Sequence, residues 1–322
     1  MLIDSLNTQK NLLAFSGGVD STSLFFILLE NSIPFDIAIV NYKLREQSEL
    51  EVKYALDLAQ KYNKICYVKE YDRDKFSEKD ARDFRYDFFD EIIENEVYET
   101  LITAHQLNDK LEWFMMQLAR GAGTVELIGL EEYSQRKSYQ VFRPLLKYTK
   151  DELESYLKEN NIEYFVDETN SDPKYKRNFF REKFSNDFIK YYKEGVKKSF
   201  EYLQNDIYTI NNLFSSTEYK ELLIGDFKVE DINVKLRFID KELKKKGVLL
   251  SKDTKNEIMK QNSIVISHKY SVAIKNNKVY IAPYTKVQMD KKFKEWCRVK
   301  RIPQNIRPYL SLLDMEQLEK LF

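Results

Sequence analysis

Short apolar runs alternate with segments of helical periodicity through the first part of the chain, and that alternation restricts the fold more than any other feature. Runs at 11–15, 35–40, 65–68 and 100–104 have the length and side-chain content of buried strands. Residues 20–30 and 48–62 have helical length and periodicity, and a further helix begins near Asn108 and continues through 112–120. A parallel crossover needs a dozen or more residues, which a helix fills. The order therefore implies an α/β domain, a parallel, Rossmann-like sheet flanked by helices. Ligands of such sheets sit outside the carboxyl ends of the strands, so chemistry is sought where these runs end.

Residues 149–162 read as another helix, with Thr149 capping its start and Asn160-Asn161 near its end, followed by a polar Asp, Asn and Pro segment. From 184 to about 208 a long helix leads away from the first domain. Further helices are expected to about residue 260. An apolar run at 264–266 follows, then a β-hairpin of 270–275 and 278–281 joined by Asn276-Asn277, a pair suited to positive φ. At 322 residues the chain is about twice the usual single-domain length. Two domains are expected: 1–189, and a smaller, mostly helical 190–322 containing the hairpin, with a helical linker over about 185–208. No internal repeat is visible.

The formal charge of zero hides a division. Residues 1–189 carry 25 Lys and Arg against 35 Asp and Glu, whereas 190–322 carry 27 against 17. The second half is the basic one, which suits a polyanionic partner. The longest uninterrupted apolar run, 24–29, falls far short of a membrane span, and the N-terminus lacks the basic-then-apolar pattern of a signal peptide. No membrane partner and a cytoplasmic location are expected. Cys66 and Cys297 are the 2 cysteines, without a second Cys or His at ligand spacing, so a thiolate metal site and a CxxC redox pair are both excluded.

Ser16-Gly17-Gly18-Val19-Asp20-Ser21 follows the first strand and opens a helix. Its backbone N–H groups would face whatever sits at the helix N-terminus, and an anion fits there. Two glycines allow close backbone approach, and the hydroxyls of Ser16 and Ser21 can donate to phosphate oxygens. Without Gly-Lys-Ser/Thr this is not the Walker loop. A Gly-Gly turn capped by Asp20 would show the same residues. The strand and helix around it favour the phosphate reading. The pattern resembles the PP-loop of the ATP pyrophosphatase superfamily, which implies ATP split between its α and β phosphates, AMP and pyrophosphate as products, and Mg²⁺ neutralising the phosphates.

After the run ending at Ala104 comes His105-Gln106-Leu107-Asn108-Asp109-Lys110-Leu111-Glu112. Asp109 and Glu112 should share one helix face. Paired carboxylates on a cleft wall hold an ammonium ion and bias it toward losing a proton, or coordinate Mg²⁺. A solvated helix start whose acids complement the dipole would look the same. His105 reads either as a site residue or as a hydrogen-bonded strand-end histidine. Arg85 reads as a site residue or as a surface partner of Asp83 or Asp87. Arg177 and Arg181, four apart, would share a helix face that suits phosphate or acid partners alike.

These blocks do not stand alone. In order along the chain lie Ser16 to Ser21; Asn41-Tyr42-Lys43-Leu44-Arg45; Ala81-Arg82 with Arg85-Tyr86; and Thr103-Ala104-His105 with Asn108-Asp109 and Glu112. Arg120-Gly121-Ala122-Gly123, Arg143-Pro144-Leu145-Leu146, and Asp167-Glu168-Thr169-Asn170 with Arg177-Asn178 and Arg181 follow. Seven blocks in register over about residues 10–185 resemble the tRNA(Ile)-lysidine synthetase family. The resemblance implies a carbon–nitrogen ligase that joins free L-lysine to the wobble cytidine of an isoleucine tRNA with a CAU anticodon. ATP first adenylates the carbonyl oxygen at carbon two of the cytosine; the lysine ε-amine then displaces AMP, and the decoded codon changes from AUG to AUA.

It further implies Asp20, Asp109 and Glu112 as the lysine and metal region, with Asp20 and Asp109 as metal ligands. His105 and Arg85 would lie by the α phosphate as positive donors. Ser16, Gly17, Gly18, Val19, Asp20 and Ser21 would bind nucleotide, with Arg177 and Arg181 approaching the phosphates or the tRNA. A homodimer is compatible with it. The chain departs from the family pattern at Lys43, usually glycine; Gln106, usually histidine; Asn108, usually an acid; Lys110, usually glutamine; and Trp113, usually threonine. These bear on Mg²⁺ coordination and nucleotide contact and spare Asp109 and Glu112.

In the second half, Lys241, Lys244 to Lys246, Lys252, Lys255 and Lys260 form one basic cluster. Lys286, Lys291, Lys292, Lys294, Arg298, Lys300 and Arg301 form another, interleaved with Phe293 and Trp296. Both suit RNA backbone, and both suit a merely solvated face. The nearest rival enzyme, a PP-loop tRNA thiolase, needs cysteine chemistry that two isolated cysteines do not provide. Amide-forming PP-loop ligases acting on small carboxylates would lack the basic second half and the His105 to Glu112 block. A catalytically silent RNA- or nucleotide-binding protein on the same scaffold is the alternative outside enzymes, and the departures at Gln106 and Asn108 bear on it.

Overall fold

The computed structural model describes residues 6, 9–43, 47–72, 77–166 and 176–322. Leu44, Arg45 and the block Asp167, Glu168, Thr169 and Asn170 lie outside the described residues. Two compact units are present, Met1–Gln204 and Asn205–Phe322.

The first unit runs β1 (Asn11–Ala14), α1 (Val19–Glu30), β2 (Phe35–Asn41), α2 (Gln47–Lys61), β3 (Cys66–Glu70), α3 (Glu78–Glu96) and β4 (Thr100–Ile102). It continues with α4 (Leu107–Leu118), α5 (Thr124–Ile128), a hairpin of β5 (Tyr133–Arg136) and β6 (Tyr139–Phe142), α6 (Lys150–Glu159), α7 (Lys176–Phe180), a π-helical turn over Arg181–Ser185, and α8 (Asn186–Asn211). The strands form one six-stranded sheet in the order β3-β2-β1-β4-β6-β5, parallel except for the β5–β6 pair.

Both sheet faces are buried, and the two-residue period assigns each side chain to one of them. Leu13, Ile37 and Ile102 enter a core with Phe25, Leu28 and Leu58, while Leu12, Ala38 and Leu101 enter another with Phe89, Ile92 and Ile93. Those last three belong to α3, which fills the expected crossover between β3 and β4 but whose bounds the sequence did not mark. It is capped by Ser77, whose side chain accepts from the Asp80 N–H at 3.1 Å, and it buries Phe84, Phe88, Phe89, Ile92 and Ile93 along one side. The ladder runs one residue past β1 and β4: Phe15 N donates to Ala38 O and Thr103 N to Phe142 O, each at 2.9 Å.

Helix α8 kinks at Tyr192 (φ −128°, ψ 20°), and its Ile189, Val196 and Phe200 pack with Leu107 and Leu111 of α4. Within the second unit, β7 (Phe214–Tyr219) and β8 (Leu222–Phe227) are strands where helices were expected. They precede α9 (Ile232–Lys245), α10 (Lys252–Lys260), β9 (Ser263–Ile266), β10 (Tyr270–Lys275), β11 (Lys278–Pro283), α11 (Lys291–Val299), α12 (Arg307–Leu310) and α13 (Met315–Leu321).

The reason for β8 is two-sided burial, whereas β7 is an edge strand with Ser215 to Glu218 exposed. Leu222 and Ile224 enter one core and Leu223 and Phe227 the other, so β8 is apolar on both faces and its period of two is masked. The five strands are antiparallel in the order β7-β8-β11-β10-β9, and the expected β10–β11 hairpin turns at Asn276, φ 54°.

Candidate active site

Between β1 and α1 the chain turns sharply. Gly17 has φ +75°, and a Cβ there would lie 3.3 Å from the Phe165 ring, while the Phe165 N–H donates to Gly17 O at 2.9 Å. Glycine is required by both the backbone angle and the approach of Phe165. Gly18 is the N-cap of α1 and no side chain caps that helix, so its first N–H groups stay available to an anion. Ser21 is buried, and its hydroxyl accepts from Ser16 N at 3.2 Å and lies 3.0 Å from the Ser16 hydroxyl. Ser21 thus braces the loop while Ser16 is the exposed hydroxyl. Val19 lends its backbone and buries its side chain in the core.

Asp20, in the first turn of α1, does not cap the helix. It has a buried Oδ1 without a hydrogen-bond partner. Burial, followed by the neighbouring charge of Asp109, pushes its pKa up to about 7, against the opposing pull of Lys150 and Arg181. The loop and the α4 acids therefore face one another. Asp20, Asn108, Asp109, Lys150, Asp151 and Arg181 are among the residues lining one cleft of about 370 Å³. Lys150, at the start of α6, is a site residue that the sequence reading missed; nothing in its local pattern distinguishes it from a solvated lysine.

The start of α4 is held by a capping box. The Gln106 side chain accepts from the Asn108 N–H, and Asp109 Oδ2 accepts from the Gln106 N–H at 3.0 Å. Asp109 and Glu112 share a face, as their spacing predicts, and that face is covered by two guanidinium groups. Arg177 Nε donates to Glu112 Oε2 at 2.8 Å and its Nη2 to Asp109 Oδ1, while Arg181 Nε donates to Glu112 Oε1 at 2.6 Å. Glu112 is 0% exposed, a burial that a carboxylate tolerates only when it is paired in this way. Burial opposes ionisation of Asp109, but Arg177, with the Gln106 N–H and Arg181, outweighs it and holds the carboxyl below its ordinary range.

His105 stands at the end of β4 with Nδ1 3.0 Å from Thr103 Oγ1. Burial lowers its pKa to about 4, the charge of Asp109 opposing and those of Arg143, Arg177 and Arg85 reinforcing. These influences favour the neutral imidazole near pH 7 and leave Arg85 as the fixed cation acting on it. Arg85, from α3, makes no ion pair with Asp83 or Asp87 among the described residues and acts instead on His105 and Tyr42.

The departures from the family pattern have structural uses. Lys43 takes a left-handed φ of 52°, where glycine is the natural residue. Gln106 caps α4, Asn108 Oδ1 accepts from Lys150 N at 3.2 Å, and the Lys110 ammonium lies 4.7 Å from the Phe200 ring centre. Trp113 Nε1 donates to Glu126 O at 2.9 Å, and its ring occupies the place a Cβ on Gly129 would take. In the second unit Phe293 is buried and Trp296 half-buried against the core around Cys297.

A nucleotide loop at the carboxyl edge of a parallel sheet, opposite paired acids, defines a PP-loop ATP-binding domain, and the PP-loop domain family matches residues 1–188. The tRNA(Ile)-lysidine synthase of Campylobacter jejuni strain RM1221 is 43% identical over 307 residues, covering 95% of this chain and 93% of that protein. That of Helicobacter pylori strain 26695 is 38% identical over 312 residues, covering 96% and 91%. The chain belongs to the tRNA(Ile)-lysidine synthase family. Among solved structures, the U34-tRNA thiolase NcsA from Methanococcus maripaludis shares the fold, with a TM-score of 0.50 at 17% identity over 62% of this chain and 73% of that one. That thiolase carries a [4Fe-4S] cluster; the thiols of Cys66 and Cys297 here are both raised to about 11 by burial.

Proposed function

We propose that the protein ligates lysine to the wobble cytidine of isoleucine tRNA bearing CAU, using ATP and releasing AMP and pyrophosphate. The observation that carries this reading is near-full-length kinship with lysidine synthases, joined to a cleft that Asp20 of the phosphate loop shares with Asp109 of α4. The α1 N–H groups and Ser16 hold the pyrophosphate, and Arg85 and neutral His105 support charge on the α phosphate as cytosine O2 attacks it. Pyrophosphate leaves, and C2 of the adenylated base becomes the electrophile.

The ε-amine of free lysine, with a pKa of about 10.4, arrives as an ammonium ion. Asp109 and Glu112, which hold two guanidinium groups in this structure, are built to hold such a cation, and the acids of the cleft take its proton before it attacks C2 and expels AMP. Asp20, with its unpartnered buried oxygen, and Asp109 offer the hard oxygen donors that Mg²⁺ prefers. They would hold Mg²⁺, which when bound neutralises phosphate charge. A tRNA substrate places this work in the cytoplasm.

The test is incubation with ATP, Mg²⁺, labelled lysine and an isoleucine tRNA transcript bearing CAU. Label enters the tRNA, and replacing the wobble cytidine by uridine abolishes it. Equal labelling of both transcripts, or of neither, defeats the proposal.

A further inference from the structure

The segment from α7 through the first turns of α8 has two unlike faces. Its inner face supplies Arg177 and Arg181 to the acids of α4 and Ile189 to the core. Its outer face is aromatic and open to solvent. Phe179, Phe184 and Phe188 are 43%, 47% and 43% exposed, and Tyr191 and Tyr192 are 72% and 61% exposed. Rings this large are seldom left in water as a group, and a contiguous exposed patch marks an interaction surface.

The rings form two clusters. Phe179 lies 5.9 Å from Phe184, and Phe188 lies 5.2 Å from Tyr192, which is 6.4 Å from Tyr191. Lys176, Lys183 and Lys190 are interleaved with them, exposed and without an ion pair among the described residues; the nearby acids on the segment are Glu182 and Asp187. Arg181, Asn186, Asp187 and Lys190 line the catalytic cleft, so the ledge begins at its rim.

Exposed rings alternating with exposed lysines, Lys190 itself 5.8 Å from the Tyr191 ring centre, are the chemistry that grips single-stranded nucleic acid, with bases stacking on rings and phosphates meeting ammonium groups. The first unit is otherwise rich in acid, so this basic strip is a local exception. We infer that the ledge of Phe179, Phe184, Phe188 and Tyr191 stacks the unpaired anticodon-loop bases flanking the cytidine, holding the loop open while that base enters the cleft. This rests on the proposed reaction, and it adds the residues that position the RNA.

The test measures affinity for an anticodon stem–loop RNA, together with lysine transfer to full tRNA. Phe188→Ser with Tyr191→Ser is expected to weaken stem–loop binding about tenfold or more, since each lost stack is worth at least about a few-fold. The KM for tRNA should rise while ATP binding and the KM for lysine stay unchanged. Phe188→Tyr, which keeps a ring, should bind like the parent.

Unchanged stem–loop affinity in the double variant overturns the inference, as does an equal loss in Phe188→Tyr. A shift from dimer to monomer in the double variant, with RNA binding intact, would instead assign the ledge to a second copy of the chain. If the parent binds the stem–loop and loses affinity as predicted but never transfers lysine, the reaction reading fails and the ledge stands.

Discussion

Asp109 does three things at once: it caps α4 through the Gln106 N–H, it pairs with Arg177, and it raises the pKa of Asp20. Asp109→Asn keeps an oxygen for the cap and removes the charge. Lysine transfer is expected to fall about 100-fold, the scale of a lost acid–base or cation-holding group, while ATP affinity changes little. Labelled-lysine incorporation beside calorimetric ATP titration checks this, and undiminished transfer would remove Asp109 from the chemistry. At this scale the sequence was informative where chemistry is local. The Gly17 turn, the shared face of Asp109 and Glu112, and the strand-end place of His105 follow from spacing. The guanidinium partners 65 to 69 residues away do not, nor does the neutral state of His105, which arises from burial and three arginines brought from elsewhere in the chain.

Among the elements, α6 is tied at its start by a reciprocal cap. Thr149 N donates to Glu152 Oε2 at 2.7 Å, and Glu152 N donates to Thr149 Oγ1 at 3.2 Å. Lys193 of α8 reaches the same carboxylate at 2.9 Å. Burial opposes ionisation, but the Thr149 N–H, then Lys193 and Lys197, bring the Glu152 pKa down to about 2. A folded pKa below the unfolded value of about 4.3 means stabilisation that is complete above about 4.3 and lost as pH falls toward about 2. Glu152→Gln should cost about 1 kcal/mol at pH 7, modest because the group is partly solvated, and the gap to the parent should close on acidification. Urea unfolding at several pH values measures this; a gap that persists at low pH would assign the loss to packing.

Most elements of the sheet were legible from apolar runs. Helix α3 was implied by the crossover but not delimited, because its aromatic positions are set among eleven charged residues between Glu78 and Glu96, and β8 was not legible, because both of its faces are buried.

For the whole molecule, the charge division is the property with the widest reach. In the second unit many of the lysines read as a basic field are partly spent: Lys245 pairs with Glu242, Lys246 with Glu218, Lys255 with Asp240 and Arg298 with Glu295. Lys291, Lys292 and Lys294 of α11 remain exposed and make no ion pair among the described residues. Replacing all three by Gln should weaken tRNA binding at low salt and flatten its salt dependence by up to about three in log–log slope, about one per phosphate contact. An unaltered slope, from filter binding across a salt series, would return that face to solvent.

The paired arginines over Asp109 and Glu112 have a consequence for the order of events. In the resting protein the seat for a cation is already taken by tethered place-holders, so an incoming amine must exchange with them rather than fill a gap. On the proposed reaction, a polyphosphate at the loop is expected to draw those guanidinium groups away and free the seat. That predicts nucleotide first and amine second, and labelled-lysine binding measured with and without ATP would check it.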